Sequence, residues 1–131
     1  MQKIISLVAV LISVALLCSC GNTKPKNTSD AMYQIGLNAL QAADDYIAGK
    51  ITGDEAYSKI EEYETQANAQ YNKEIADAKS ETLVSTEFSN DSYIMFDITS
   101  LSYRIMSAKH GTGAMSEVKE KREALAKDIG R

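Results

Sequence analysis

Between Gly49 and Thr52 the chain ends one helix and begins another within a few residues, and this constrains the fold more than any other stretch. Upstream, Met32, Gly36, Ala39, Leu40, Ala43 and Ile47 step by three and four, the spacing that lines one face of an α-helix. Gly49 lacks a Cβ and can take the left-handed conformation that closes a helix end. Thr52 and Glu55 then match a capping box, in which the threonine hydroxyl and the glutamate carboxylate each accept from the other's backbone amide. Two amphipathic helices separated only by Gly49 to Ile51 must fold back as a helical hairpin.

The first helix should begin near Ser29-Asp30, since either side chain can accept from an amide of the first turn. The second should present Ala56, Ile60, Tyr63, Ala67, Gln70/Tyr71, Ile75 and Ala78 inward, with Lys59, Glu61, Glu62, Gln66, Asn72, Lys73 and Asp77 in solvent. Ser80 to Ser89 loses the pattern and reads as a loop, with Leu83, Val84 and Phe88 available to cover the end of the core. Ser89-Asn90-Asp91 supplies the next cap. The following helix repeats Ile94, Ile98, Leu101, Ile105 and Ala108, flanked by Met95, Phe96 and Met106, and is expected to be the most hydrophobic and the central one. Lys109-His110-Gly111 closes it with cationic groups and a glycine. Ser116 is the expected cap of a last helix whose thin face, Val118, Leu125 and Ile129, is interrupted by Arg122, so that this helix should fray first. No alternating strand pattern occurs. The expected fold is all-α, a small antiparallel bundle of three to four helices over residues 30–131.

The start of the chain is of a different kind. Met1-Gln2-Lys3 is short and positively charged, and Ile4 to Leu17 is apolar apart from two serines, the arrangement of a secretory signal. Those 14 residues fall short of the roughly 20 that a membrane-spanning helix needs. At the end of the run, Leu17 lies three residues before Cys20 and the small Ser19 immediately before it, and this segment resembles the lipobox of bacterial lipoproteins. Cys18 fits less well, because the bulky Leu17 precedes it. The resemblance implies a signal peptide at 1–19, cleavage between Ser19 and Cys20, and a diacylglyceryl thioether on the Cys20 sulfur, with acyl chains of the palmitate kind. It also implies a domain attached to the cell membrane or the outer membrane on its extracytoplasmic side. Residues 20–29 are polar, hold the single proline and read as a lipidated N-terminus and flexible tether, in which Lys24 and Lys26 read as solubilising linker residues or, alternatively, add up to about 1 kcal/mol each against anionic lipid.

Of the 14 basic and 18 acidic side chains only Lys3 precedes Cys20, so the mature chain is distinctly acidic and its charges alternate in sign. A nucleic-acid partner needs a clustered basic face and is excluded on that ground. On the lipoprotein reading neither cysteine is left for a disulfide.

Chemical signatures are few. His110 is the single histidine, too little for a metal centre of the usual His/Cys kind, and no metal or cofactor residues are assigned. Ser107 lies three residues before it on one helical face, but neither an oxyanion loop nor an orienting acid accompanies the pair, so no catalytic residue is assigned. Gly111-Thr112-Gly113 lacks the strand and third glycine of a dinucleotide fingerprint and reads as a helix connection. Asp44-Asp45 and Glu61-Glu62 are sequence neighbours that a helix turns about 100° apart, as solvated charge. Seven tyrosines, against two phenylalanines and no tryptophan, are the compositional anomaly. Tyr33, Tyr46, Tyr57, Tyr63, Tyr71, Tyr93 and Tyr103 should mostly edge the core with their hydroxyls in water, although tyrosine also favours interfaces. The functional expectation is a membrane-anchored module that binds an envelope protein, the alternatives being a structural spacer of the envelope and, last, an enzyme or enzyme subunit.

Overall fold

A computed structural model describes residues 23–78 and 89–131. The signal segment with Cys18 and Cys20, and the loop with Leu83, Val84 and Phe88, lie outside the described residues. Among those described there are four helices and no strand: α1 (Asp30–Ile47), α2 (Gly53–Asp77), α3 (Ser89–Lys109) and α4 (Met115–Asp128).

Local chemistry sets most helix ends where the sequence places them. The Ser29 hydroxyl accepts from the Met32 amide at 3.2 Å and caps α1. Gly49, at φ 71°, donates to Tyr46 O and turns the chain out of α1. Thr52 and Glu55 form the full capping box of α2, the Glu55 amide donating to Oγ1 at 3.2 Å and the Thr52 amide to Oε2 at 2.8 Å. These bonds hold the Glu55 carboxyl below its ordinary pKa. Thr52→Ala should lower the free energy of unfolding by about 1 kcal/mol, measured by urea denaturation. The start of α4 differs from expectation. Its cap is Ala114 and not Ser116, and only the return half of a capping box forms, the Ala114 amide donating to Glu117 Oε2 at 3.3 Å.

Contacts at both ends of the bundle fix an antiparallel, up-down-up-down arrangement. Lys109 at the end of α3 pairs with Asp54 at the start of α2, and Arg104 pairs with Glu117 across the α3–α4 turn. Going up α1 and down α4, Gly36 lies against Leu125 and Ile129, and Asp44 meets Arg122. Helices α2 and α4 lie on opposite sides and do not meet, whereas α1 and α3 touch across the diagonal. The centre is therefore shared by α1 and α3, not held by α3 alone. Small residues allow this: Gly36, Ala39, Ala42 and Ala43 all face inward on α1. A Cβ on Gly36 would lie 2.8 Å from Ile129 Cγ2 and 3.2 Å from Ile94 Cγ2.

The buried set is Met32, Ala39, Leu40, Ala43, Ala56, Ile60, Ala67, Ile94, Ile98, Leu101, Ile105, Val118, Leu125 and Ile129, with a few further alanines. The thin face of α4 is thus wholly buried. Arg122, instead of interrupting it, reaches α1 and grips Asp44 with two hydrogen bonds of 2.6 and 3.0 Å. The Asp44 carboxylate raises the Arg122 pKa, keeping the guanidinium charged.

Two expectations are corrected. The inward face of α2 is rolled by one residue near its end, so that Glu74 is buried and Ile75 is 47% exposed. Residues 23–29, read as a tether outside the fold, are packed onto it. Thr28 is buried, Asn27 O accepts from the Asn90 amide, and Asn90 Nδ2 donates to both Thr28 Oγ1 and Asp128 O. Composition concealed this, because the segment docks through hydrogen bonds to α3 and α4, with the Pro25 ring against Gly130 as an apolar contact.

Candidate binding face

Helix geometry gives α3 two different surfaces. Ile94, Ile98, Leu101 and Ile105 are fully buried on one side. Residues two positions away from these point roughly 160–200° around the helix at 100° per residue. Phe96, two from both Ile94 and Ile98, and Tyr103, two from both Leu101 and Ile105, are accordingly 67% and 57% exposed; Tyr93 is 63% exposed beside them. The expectation that Phe96 flanks the core is overturned by this angle, and Tyr93 and Tyr103 depart from the ring-inward placement. The other five tyrosines, Tyr33, Tyr46, Tyr57, Tyr63 and Tyr71, are partly buried against the core.

The outer surface between these rings is hydroxyl-bearing and uncharged. Thr99 is exposed and Ser92 and Ser100 half-buried, while Asp97, the only charged residue from Ser92 to Tyr103, is turned inward and buried. From Tyr93 to Tyr103 the face runs about 15 Å at 1.5 Å per residue. Three aromatic side chains at this exposure leave on the order of 300 Å² free, comparable to the largest apolar patch of an ordinary monomer. The Arg104 guanidinium lies 5.5 Å from the centre of the Tyr103 ring while paired with Glu117, which holds that ring's edge of the face in place.

His110 and Ser107, the pair weighed for catalysis, are not joined in the structure. His110 is exposed just beyond α3, and no hydrogen bond joins it to Ser107, whose carbonyl instead accepts from Thr112 and Gly113 in the α3–α4 turn. Beside His110 is an open depression lined by Tyr46, Gly53, Asp54 and Lys109. Its ionisable groups are mutually satisfied: Lys109 Nζ contacts Asp54 at 2.6 Å and lies 5.1 Å from the Tyr57 ring centre. The hydrogen bond from Lys109 lowers the Asp54 pKa, as a surface ion pair does. Asp44 is committed to Arg122 and Asp45 to Lys50, and Glu61 and Glu62 bond only along their own helix. Among the described residues no group of three or more His, Cys, Asp or Glu side chains could hold a metal ion. Likewise, none of the described helices is long and apolar enough to cross a membrane.

Sequence reasoning missed the buried acids Glu74, Asp91 and Asp97. A signal for one was present, since Asp91 precedes Ile94 and Ile98 by three and seven residues and so shares their face. Both Asp91 oxygens accept from Ser29, from its amide at 3.0 Å and its hydroxyl at 2.5 Å. Burial pushes the Asp91 pKa up to about 7, with the facing Glu74 carboxyl adding to the shift and Ser29 opposing it. Burial likewise pushes Asp97 up to about 7, reinforced by Asp128 and opposed by Lys121. Comparison with protein-family models, with curated proteins and with solved structures gives no match.

Proposed function

We propose that this chain is an envelope lipoprotein, anchored through an acylated Cys20 on the extracytoplasmic side of a membrane, and that it binds a protein partner through the outer face of α3. The observation that carries the binding part is the uncharged aromatic strip of Tyr93, Phe96 and Tyr103. Exposed aromatic rings on a rigid helix offer large contact area with little side-chain entropy to lose, which is why such residues anchor interfaces. An acidic chain with an uncharged recognition face suits a protein surface and not a phosphate backbone. The anchoring part is supported by Leu17, Ser19 and Cys20 at the end of the apolar run.

The test is photo-crosslinking in living cells with a reactive residue placed at Ser100, between Phe96 and Tyr103, and a control at Glu62 on the outer side of α2. A discrete adduct from position 100 alone, abolished by Phe96→Ser with Tyr103→Ser, is the expected result. Equal adducts from both positions, or one that survives the double substitution, would remove α3 as the binding face.

A further inference from the structure

We propose that the end of the bundle where α2 and α4 finish and α3 begins is a proton-operated latch, held shut by one shared proton between Glu74 and Asp91 and another between Asp97 and Asp128. The two pairs clip three helices together: Glu74 of α2 is buried facing the fully buried Asp91 of α3, and the buried Asp97 of α3 faces Asp128 at the end of α4. Among the described residues no donor reaches the buried Glu74 Oε2 or Asp97 Oδ2, although Glu74 Oε1 accepts from Gln70 Nε2 at 2.6 Å. A carboxylate oxygen in that position is costly to bury, and a proton between facing carboxyls supplies the missing hydrogen bond. Among the described residues none of these four acids forms a salt bridge. Asp91 faces Ser29 from the start of α1 and Glu74 from α2; Asp97 faces Asp128 and, as the opposing charge, Lys121 from α4. Lys24, on the docked segment, pairs with Asp30 instead.

When the pH rises, each pair releases a proton to solvent and becomes two facing carboxylates. The sign follows from the raised pKa values near 7. The folded state holds protons that the unfolded chain has lost above its ordinary carboxyl range of about 4, so the stability they confer is complete below that range and declines as the pH climbs to about 7. Repulsion then acts between helix ends and not on the Ser29 bonds, which an ionised Asp91 keeps. The last turn of α4 has the most to lose, because Asp128 O accepts from Asn90 and Gly130 lies against Thr23 and Pro25. Its departure frees residues 23–29 from one of their two walls, and seven extended residues add about 24 Å of reach. The latch stands on the geometry of this end and does not depend on how the chain is anchored.

Amide hydrogen exchange on the full chain, corrected for the intrinsic pH dependence of exchange, tests it. Between pH 5 and pH 8 the protection of Asn90, which donates to Asn27 O, and of Ile129, which donates to Leu125 O, should fall about tenfold or more, the equivalent of at least one pKa unit. Ala56, which donates to Thr52 O at the opposite end, should change far less. Glu74→Gln with Asp97→Asn should abolish the fall. An unchanged Asn90 and Ile129, an equal loss at both ends, or a fall that persists in the double variant would overturn the latch. Should the variant not fold, carboxyl carbon NMR titration of the wild type decides: midpoints for Asp91 and Asp97 close to neutrality support the shared protons, and midpoints in the ordinary carboxylate range refute them.

Discussion

Leu101→Ala is expected to lower the free energy of unfolding by about 2 to 5 kcal/mol, and Ile98→Ala by a similar amount, through loss of apolar contacts and the cavity left behind. Both side chains are fully buried. They lie on α3, which like α1 touches all three other helices, where the surrounding structure has little freedom to collapse into the gap. A domain of this size has about 5 to 15 kcal/mol in all, so either change should remove a large share of it and lower Tm by about 8 °C or more. Thr52→Ala, at an exposed cap, should cost several times less. Urea denaturation of the three variants gives the order directly, and a cap variant more damaging than Leu101→Ala would contradict the core described above.

Cys20→Ala should convert the protein from membrane-bound to released or unprocessed. On the proposed anchoring, the substitution removes the acceptor sulfur and both acyl chains, each buried methylene of which contributes about 0.8 kcal/mol of membrane affinity. Little else can compensate. Lys24 is paired with Asp30 at 2.5 Å, which leaves Lys26 as the exposed cation of the segment. A single lysine adds about 1 kcal/mol at an anionic surface. The apolar faces of all four helices are spent on one another, and the strip on α3 is too small to hold the protein on a bilayer by itself. On the same proposal Cys18 belongs to the segment removed with the signal, and Cys18→Ala should leave attachment intact. Fatty-acid labelling with mass spectrometry of the mature N-terminus distinguishes these outcomes. A wild-type N-terminus other than Cys20, or lipid retained in Cys20→Ala, would show the anchor to be elsewhere.

What the sequence by itself determined is whatever depends on neighbours within about four residues. The period of three and four in Met32, Gly36, Ala39 and Leu40 defines the inward face of α1. The Ser29 cap, the Thr52–Glu55 box and the turn at Gly49 fix helix ends through bonds that close within one turn. The outward direction of Phe96 was also legible, since two residues from Ile94 and two from Ile98 is the far side of a helix, but its apolar character argued the other way. Tertiary structure decided which residues at the margin of a stripe are covered. Glu74 is buried and Ile75 exposed because Asp91 of α3 stands opposite one and solvent opposite the other. Arg122 completes an interface because Asp44 lies across from it. Thr28 is buried because Asn90 and Asp128, far along the chain, converge on the segment that contains it. In each case the deciding partner lies on another helix, and the periodicity of one segment carries no record of what packs against its edge.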